Sequence, residues 1–163
     1  MKPLKFSYYK FQGNLRPIGR FIIEHETVQT PFLCLIDSGA DVTVSYKIIG
    51  ENMGIKFDRS QLEPIFGIGF NEMCQNCNEN MGKKLICPKC KKGVDLSLFA
   101  YRKKVNLIIP EYGDKISLDV LWVVKDFNPN EDLAFMLGRK DFFEKFDITV
   151  RENKKMFTLS PHK

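Results

Sequence analysis

Short runs of aromatic and branched apolar residues, separated by turn residues, recur along this chain and restrict it to a mainly β fold. Strands are predicted at seven segments: Lys5–Phe11, Arg20–Glu24, Phe32–Ile36, Val105–Ile109, Ile116–Val124, Ile148–Val150 and Met156–Leu159. Two hairpin turns are predicted, at Tyr112–Lys115 and Arg151–Lys155. Helical periodicity is confined to Arg139–Phe146, whose phenylalanines recur on one face, and to a shorter turn at Tyr46–Gly50.

The length of 163 residues suits a single domain, which we expect to span 1–163. Hydrophobic residues make up 44% and charged residues 28%, a composition that excludes a wholly disordered chain. No apolar run approaches the roughly 18 residues that a membrane-spanning helix needs, and the first residues lack the apolar core of a secretory signal. We therefore expect a cytoplasmic protein that makes no membrane contact.

Four of the five cysteines form two close pairs, Cys74/Cys77 and Cys87/Cys90, while Cys34 stands alone and suits a buried core position. Two Cys-x-x-Cys segments can direct four thiolates to one point, which is the tetrahedral sulfur cage that zinc prefers. Without an export signal, a metal site is favoured over disulfides. The four paired cysteines are therefore predicted to bind a structural Zn²⁺; iron in the same cage, or a redox pair of thiols, are alternatives without a supporting feature.

The formal net charge of +5 is distributed unevenly. Residues 83–104 include eight basic residues and one acidic residue, a local net charge of +7, which leaves −2 for the rest of the chain. A basic patch of this kind can attract nucleic acid or an acidic protein, although most such patches are only solvated surfaces.

A carboxylate on a tight turn is the most informative motif: Asp37-Ser38-Gly39-Ala40-Asp41 directly follows an apolar strand. Gly39 permits a sharp turn and lets neighbouring N–H groups approach the Asp37 carboxylate. Because Asp-Ser-Gly is also an ordinary turn sequence, this motif does not decide the function by itself.

Three segments in order resemble the retropepsins, the retroviral-type aspartic proteases. The Asp-Ser-Gly-Ala sequence resembles their active-site motif, 64–70 resembles their glycine-rich flap, and 135–139 resembles their apolar-Gly-Arg segment. The resemblance covers about 21–150, apart from a cysteine-bearing insert that we place at 71–102, directly after the flap. It implies an all-β, homodimeric acid-protease half-barrel with one C-terminal helix, here carrying a small zinc-ribbon or knuckle insert.

The resemblance also implies roles for individual residues. Asp37 would be the catalytic aspartate, held by Ser38 and Gly39. The residues expected to bind substrate are Ala40, Asp41, Gly67, Ile68 and Gly69. Asp41 is also expected to form an ion pair with Arg139 that braces the base of the catalytic loop.

The chain contains one such motif, whereas aspartic protease chemistry needs two carboxylates that share a proton. The resemblance therefore implies an endopeptidase that cleaves extended peptides with water activated by an Asp37 pair across a homodimer, without a catalytic metal. One alternative is a non-catalytic dimeric binding module whose basic zinc insert docks on nucleic acid or an acidic protein. Another is a dimeric scaffold whose aspartates lie too far apart to share a proton. The insert itself would steady the flap, dock a partner or act as a structural staple.

Overall fold

The computed structural model describes residues 2–65, 74, 76–80, 84–93, 96 and 99–162. The strands in these ranges are β1 (Leu4–Ser7), β2 (Tyr9–Phe11), β3 (Asn14–Arg16), β4 (Ile18–His25), β5 (Val28–Ile36), β6 (Thr43–Tyr46), β7 (Glu63–Pro64), β8 (Phe99–Ile108), β9 (Lys115–Val123), β10 (Phe135–Leu137), β11 (Phe146–Arg151) and β12 (Met156–Pro161). A short helix, α1, covers Lys47–Asn52, close to the predicted turn at Tyr46–Gly50. Across these ranges, no helix has the length and apolar character that crossing a membrane requires.

A closed six-stranded barrel forms the body of the molecule, which confirms the mainly β prediction. Its strands follow the order β4, β5, β10, β6, β9, β8, and pairing between β8 and β4 closes the ring. Strand β7 pairs with β8 outside the ring, β1, β12 and β11 form a three-stranded sheet, and β2 and β3 form a separate hairpin. Closure leaves the barrel strands without the unpaired edges of an open sheet.

Aromatic side chains fill the core. The largest fully buried side chains are those of Trp122, Phe21, Phe99, Phe135, Phe142 and Phe157. Strand β9 shows how the sequence directs this packing, because its alternate residues from Ile116 to Trp122 are all buried. Burial of this apolar surface is the main stabilising contribution to the fold.

Both predicted hairpins are confirmed. Strands β8 and β9 are antiparallel, and the turn between them contains Gly113 at a φ of 72°. Strands β11 and β12 are also antiparallel, with Lys155 in the left-handed region just before β12. These turns could be predicted because glycine and short polar residues mark them locally.

The predicted strand Lys5–Phe11 is divided in the structure. Its two halves are β1 and β2, which belong to different sheets, and the buried Tyr8 lies between them. The Tyr8 N–H donates to the Lys155 carbonyl at 2.7 Å and its hydroxyl donates to Glu152 at 2.8 Å. These bonds to the far end of the chain fix the break, so tertiary contacts override the local strand pattern here.

The predicted helix Arg139–Phe146 is wrong as a regular helix. The structure has one irregular turn over Arg139–Phe143, in which Lys140 is extended and Asp141 has φ 70° and ψ −52°, and β11 already begins at Phe146. The Arg139 and Lys140 N–H groups donate to carbonyls of the 37–42 segment. The extended Lys140 and the positive φ of Asp141 therefore interrupt the helical path, although the periodic phenylalanines still pack into the core.

The cysteine-bearing segment leaves and re-enters the barrel through a paired neck. Glu63 in β7 pairs with Ala100 in β8, and Pro64 pairs with Phe99. The insert predicted at 71–102 therefore ends inside β8, whose residues 99–101 are buried and continue into the barrel. The segment between the two neck strands contains both the glycine-rich sequence and all four paired cysteines.

One carboxylate, Glu24, is buried in the barrel wall with 5% of its surface exposed. It accepts hydrogen bonds from Lys115 and Gln29, both at 2.8 Å, and from Asn106 at 3.2 Å. The bonds from Lys115 and Gln29 are the largest causes that lower the pKa of Glu24, to about 2. In an unfolded chain a Glu carboxyl has a pKa of about 4.3.

The depressed pKa predicts that Glu24 stabilises the fold above the unfolded-state pKa and that this contribution is lost as pH falls through the folded-state value. Glu24→Gln should lower the melting temperature at neutral pH and weaken its dependence on pH between about pH 5 and about pH 2. Calorimetry of both proteins across this range tests the prediction. Melting curves that shift in parallel with pH would contradict it.

Candidate active site and cysteine cluster

The loop 37–42 joins β5 to β6, and β10 lies between these two strands. Strand β10 runs parallel to β5, with Leu137 opposite Ile36, and antiparallel to β6, with Phe135 opposite Ser45. Ile36, Phe135 and Leu137 are buried, so the loop emerges from the buried core of the barrel. A rigid β scaffold therefore supports both ends of the segment that carries Asp37.

Backbone hydrogen bonds attach this loop to the strand and turn behind it. The Asp37 N–H donates to the Leu137 carbonyl at 3.1 Å. The Arg139 N–H donates to the Ala40 carbonyl, and the Lys140 N–H donates to the Asp41 carbonyl, each at 2.8 Å. The segment 137–140 therefore holds the beginning and the end of the loop at the same time.

The Asp37 carboxylate is oriented within its own turn. The Gly39 N–H donates to Asp37 Oδ1 at 2.8 Å, and the Ala40 N–H donates to the Asp37 carbonyl at 3.3 Å. Asp37 is half-buried, whereas Ser38 and Gly39 are exposed. One carboxylate oxygen is thus held by the turn itself, the backbone of the loop is bonded to the barrel, and the outer face of the loop is exposed.

The structure brings Asp41 and Arg139 together, since Arg139 Nη2 donates to Asp41 Oδ1. The Asp41 side chain is 78% exposed and the Arg139 side chain is 62% exposed. Exposed ion pairs contribute little to stability, so the effect of this pair in one chain is to orient the two side chains.

Thr43 is a site residue that the sequence did not reveal. Its side chain is fully buried, and its Oγ1 accepts a hydrogen bond from the Gly138 N–H at 3.3 Å. A Cβ at Gly138 would lie 2.4 Å from the carbonyl group of Val42. The apolar-Gly-Arg sequence marked Gly138, but no local pattern distinguishes Thr43 from any other strand threonine.

A small cavity of about 180 Å³ is lined in part by Leu35, which lies two residues before Asp37. Met136, the partner of Leu35 across β5 and β10, also lines it. The other lining residues include Phe11, Arg16, Asp132 and Leu133. Tyr46 also lines the cavity; burial and the neighbouring Asp132 carboxylate raise the pKa of Tyr46 to about 12, so its phenol stays protonated.

The expected flap residues Gly67, Ile68 and Gly69 lie outside the described residues.

The four paired cysteines converge on one point. The Sγ atoms of Cys74, Cys77, Cys87 and Cys90 all lie within 4.8 Å of one another. Cys74 and Cys90 are separated by 3.6 Å between sulfurs, as are Cys77 and Cys87, and all four are free thiols. Sulfurs about 2.3 Å from a tetrahedral zinc would be about 3.8 Å apart, so the donor set and spacing fit such an ion.

The two halves of the cluster have the same backbone structure. The N–H groups of Cys74 and Cys87 donate to the carbonyls five residues later, at Glu79 and Lys92. The carbonyls of the same two cysteines accept from Asn78 and Lys91, four residues later, and both of these residues have positive φ, at 55° and 60°. The described residues of 74–79 and those of 87–92 therefore form two equivalent knuckles, each of which turns two thiols inward.

The comparisons with known proteins address the fold. A solved structure titled a retropepsin-like aspartic protease from Rickettsia conorii aligns with 97% of this chain and 89% of its own chain, with a TM-score of 0.52 and 14% identity. The chain has a retropepsin-like fold. No family model matches the sequence, and no curated protein is similar to it in sequence.

The contact between Gly138 and Val42 predicts a strong effect of the smallest side chain. Because a Cβ would clash with backbone atoms that cannot rotate away, Gly138→Ala should destabilise the protein by about 3 kcal/mol or more. Chemical denaturation measures this change. Gly93→Ala is the matched control, because among the described residues its Cβ would meet the Leu85 carbonyl oxygen alone, at an ordinary 3.8 Å. Equal effects of the two substitutions would contradict the prediction.

Proposed function

We propose that this protein is an aspartic endopeptidase whose active site is completed by a second copy of the chain. The observation that carries the proposal is the Asp37 loop, which is fixed on its barrel side, exposed on its outer side and placed on a retropepsin-like barrel. The chain has one Asp-Ser-Gly sequence, so the second carboxylate would come from the equivalent loop of a twofold partner.

The chemistry follows from placing two carboxylates about 3 Å apart, where they cannot both ionise and therefore share one proton. The ionised Asp37 would take a proton from a bound water, which attacks the peptide carbonyl carbon, while the protonated Asp37 donates a hydrogen bond to the carbonyl oxygen. The proton gained by the first carboxylate then passes to the leaving amine. In each chain, the Gly39 N–H keeps one carboxylate oxygen oriented during these transfers.

The cavity beside β5 and β10 is proposed to receive a substrate side chain next to the cleaved bond. Leu35, two residues before Asp37, and its strand partner Met136 provide an apolar wall, so a medium-sized hydrophobic side chain would fit best. The peptide backbone would lie extended along the loop near Ala40 and Asp41 and beneath the segment that contains Gly67, Ile68 and Gly69. Ile68 would cover the peptide.

The cysteine cluster is proposed to hold one structural Zn²⁺. Cys74, Cys77, Cys87 and Cys90 supply four thiol ligands, which leave no coordination position for a substrate. The N–H groups of Asn76 and Cys90 lower the pKa values of Cys74 and Cys87, respectively. Although the Glu79 N–H lowers the pKa of Cys77, burial and the other three thiols raise it to about 11, so a cation is needed for all four to bind as thiolates. The knuckles are small and join the barrel through the β7–β8 neck, so their order would depend on the metal.

A second candidate function is docking of nucleic acid on this module. Lys84, Lys89, Lys91 and Lys92 are exposed, and Glu79 is the acidic residue among the described residues of 74–93. However, four thiolates around one divalent cation carry a net charge of −2, which these lysines would offset without any partner. The protease is therefore favoured; a salt-dependent affinity for nucleic acid that Asp37→Asn leaves unchanged would favour docking instead.

The proposed mechanism predicts that peptide cleavage depends on the Asp37 carboxylate. Asp37→Asn keeps the hydrogen bond from Gly39 but cannot share a proton, so cleavage should fall by at least about a hundredfold. Cleavage of a degenerate peptide pool from about pH 3 to about pH 8 measures this loss, and the wild type should show a bell-shaped profile.

Asp58→Asn is the matched control for this experiment. Asp58 Oδ1 accepts a hydrogen bond from the Ser60 N–H at 2.9 Å, which is the same local contact as that between Asp37 and Gly39, but it lies in a turn before β7. This variant should cleave like the wild type. Cleavage that survives Asp37→Asn, or that both substitutions abolish equally, would contradict the proposal.

The cluster predicts one tightly bound zinc per chain. Replacing Cys74 and Cys77 together by serine should abolish stoichiometric zinc, because only two thiol ligands remain. Cys34→Ala should keep it, since Cys34 is buried in the barrel strand β5. Elemental analysis of the purified proteins gives the metal and its stoichiometry. Iron in place of zinc, or zinc retained by the double variant, would contradict the assignment.

A further inference from the structure

The turn Arg139–Phe143 fixes the end of the Asp37 loop, yet its own conformation is unfavourable. The N–H groups of Arg139 and Lys140 bond to the carbonyls of Ala40 and Asp41. Asp141 has φ 70° and ψ −52°, a region that residues other than glycine rarely occupy. Such a conformation persists only where the surrounding structure holds it in place.

Asp119 contacts this turn at two consecutive residues. Its carboxylate Oδ2 accepts from Lys140 Nζ at 3.1 Å, and its main-chain N–H donates to Asp141 Oδ2 at 2.8 Å. Asp119 lies in the barrel strand β9 between the fully buried Leu118 and Val120. The turn is therefore held by one residue of a rigid strand.

The Asp119 carboxylate remains ionised in this position. Its side chain is only 14% exposed, and although burial raises its pKa, hydrogen bonds from Lys140 and Arg102 lower the pKa overall. Arg102 Nη1 donates to Asp119 at 2.9 Å, and Arg102 Nε donates to Glu63 at 3.0 Å. Glu63 and Arg102 are in β7 and β8, respectively. Hydrogen bonds from Arg102 to Glu63 and Asp119 therefore join the β7–β8 neck of the cysteine-bearing segment to the strand that holds the turn.

We propose that Asp119 is a positioning residue for the Asp37 loop, acting through Lys140 and Asp141. The Lys140 side chain donates to the Asp119 carboxylate, and the Lys140 main-chain N–H donates to the Asp41 carbonyl. A single residue therefore links β9 to the Asp37 loop. The effect of Asp119 on catalysis rests on the proposed protease function. Its effect on the stability of the turn does not.

Amide hydrogen exchange measured by NMR tests the structural consequence directly. Asp119→Asn removes the charge that holds Lys140, so the Arg139 and Lys140 amides should exchange at least about tenfold faster relative to amides of β12, a strand that neither Asp119 nor Glu24 contacts in the described residues. Glu24→Gln is the matched control, because it breaks another ion pair between a barrel carboxylate and a lysine, and the hydrogen-bond partners of Glu24 are Lys115, Gln29 and Asn106 rather than residues of the turn. It should leave this ratio unchanged. An unchanged ratio in Asp119→Asn would overturn the proposal.

Lys140→Met provides a second variant that should fold even if Asp119→Asn does not, because half of the Lys140 side chain is exposed. It should reproduce the faster exchange. The double variant should exchange no faster than either single variant, since both substitutions break the same contact between Lys140 and Asp119. Additive effects would overturn the proposal.

The kinetic consequence is measured on the same proteins with a cleaved peptide. Asp119→Asn and Lys140→Met should lower kcat by about tenfold with little change in KM, because the carboxylate is misplaced while the cleft is retained. Glu24→Gln should match the wild type below its melting temperature. A wild type that cleaves no peptide would refute the protease function, whereas the exchange ratio would still decide the role of Asp119.

Discussion

The insertion of β10 between β5 and β6 is the constraint on which the rest of the site depends. The strands on both sides of the Asp37 loop are held apart by a third strand that is remote in sequence, and the barrel cannot close without it. The same segment then supplies the carbonyl of Leu137 and the N–H groups of Arg139 and Lys140 to the loop. The segment that closes the barrel therefore also positions the loop that carries the Asp37 carboxylate. For this reason Gly138, which passes against the Val42 backbone, tolerates no side chain.

The cysteine module depends on a different source of stability. Its two knuckles join the barrel through a short pair of strands, and among the described residues of this unit the buried cluster consists of the four cysteines. A unit of this kind cannot draw on the aromatic core of the barrel, so a metal ion is the interaction that would hold it together. The network of Glu63, Arg102 and Asp119 is the polar connection between the base of this unit and the barrel.

Much of the fold was predictable because it is encoded locally. Alternating apolar residues marked the barrel strands, glycine marked the β8–β9 turn, and the Cys-x-x-Cys spacing marked a cluster that the structure brings together. The errors arose where remote contacts decide. Phe142 follows helical spacing, but the backbone at Lys140 and Asp141 is not helical, where the turn bonds to the Asp37 loop and to Asp119. Asp119 is an ordinary strand residue in the sequence, and only the barrel places it beneath the turn.

The proposed active site requires two copies of Asp37, one from each chain of a dimer. Wild-type and Asp37→Asn chains should be mixed in varied ratios, unfolded and refolded together with zinc, and their peptide cleavage measured at a fixed total concentration. If each site needs both carboxylates, activity will follow the square of the wild-type fraction, because mixed dimers are inactive. Activity proportional to the wild-type fraction itself would show that each chain works alone and would contradict the shared site.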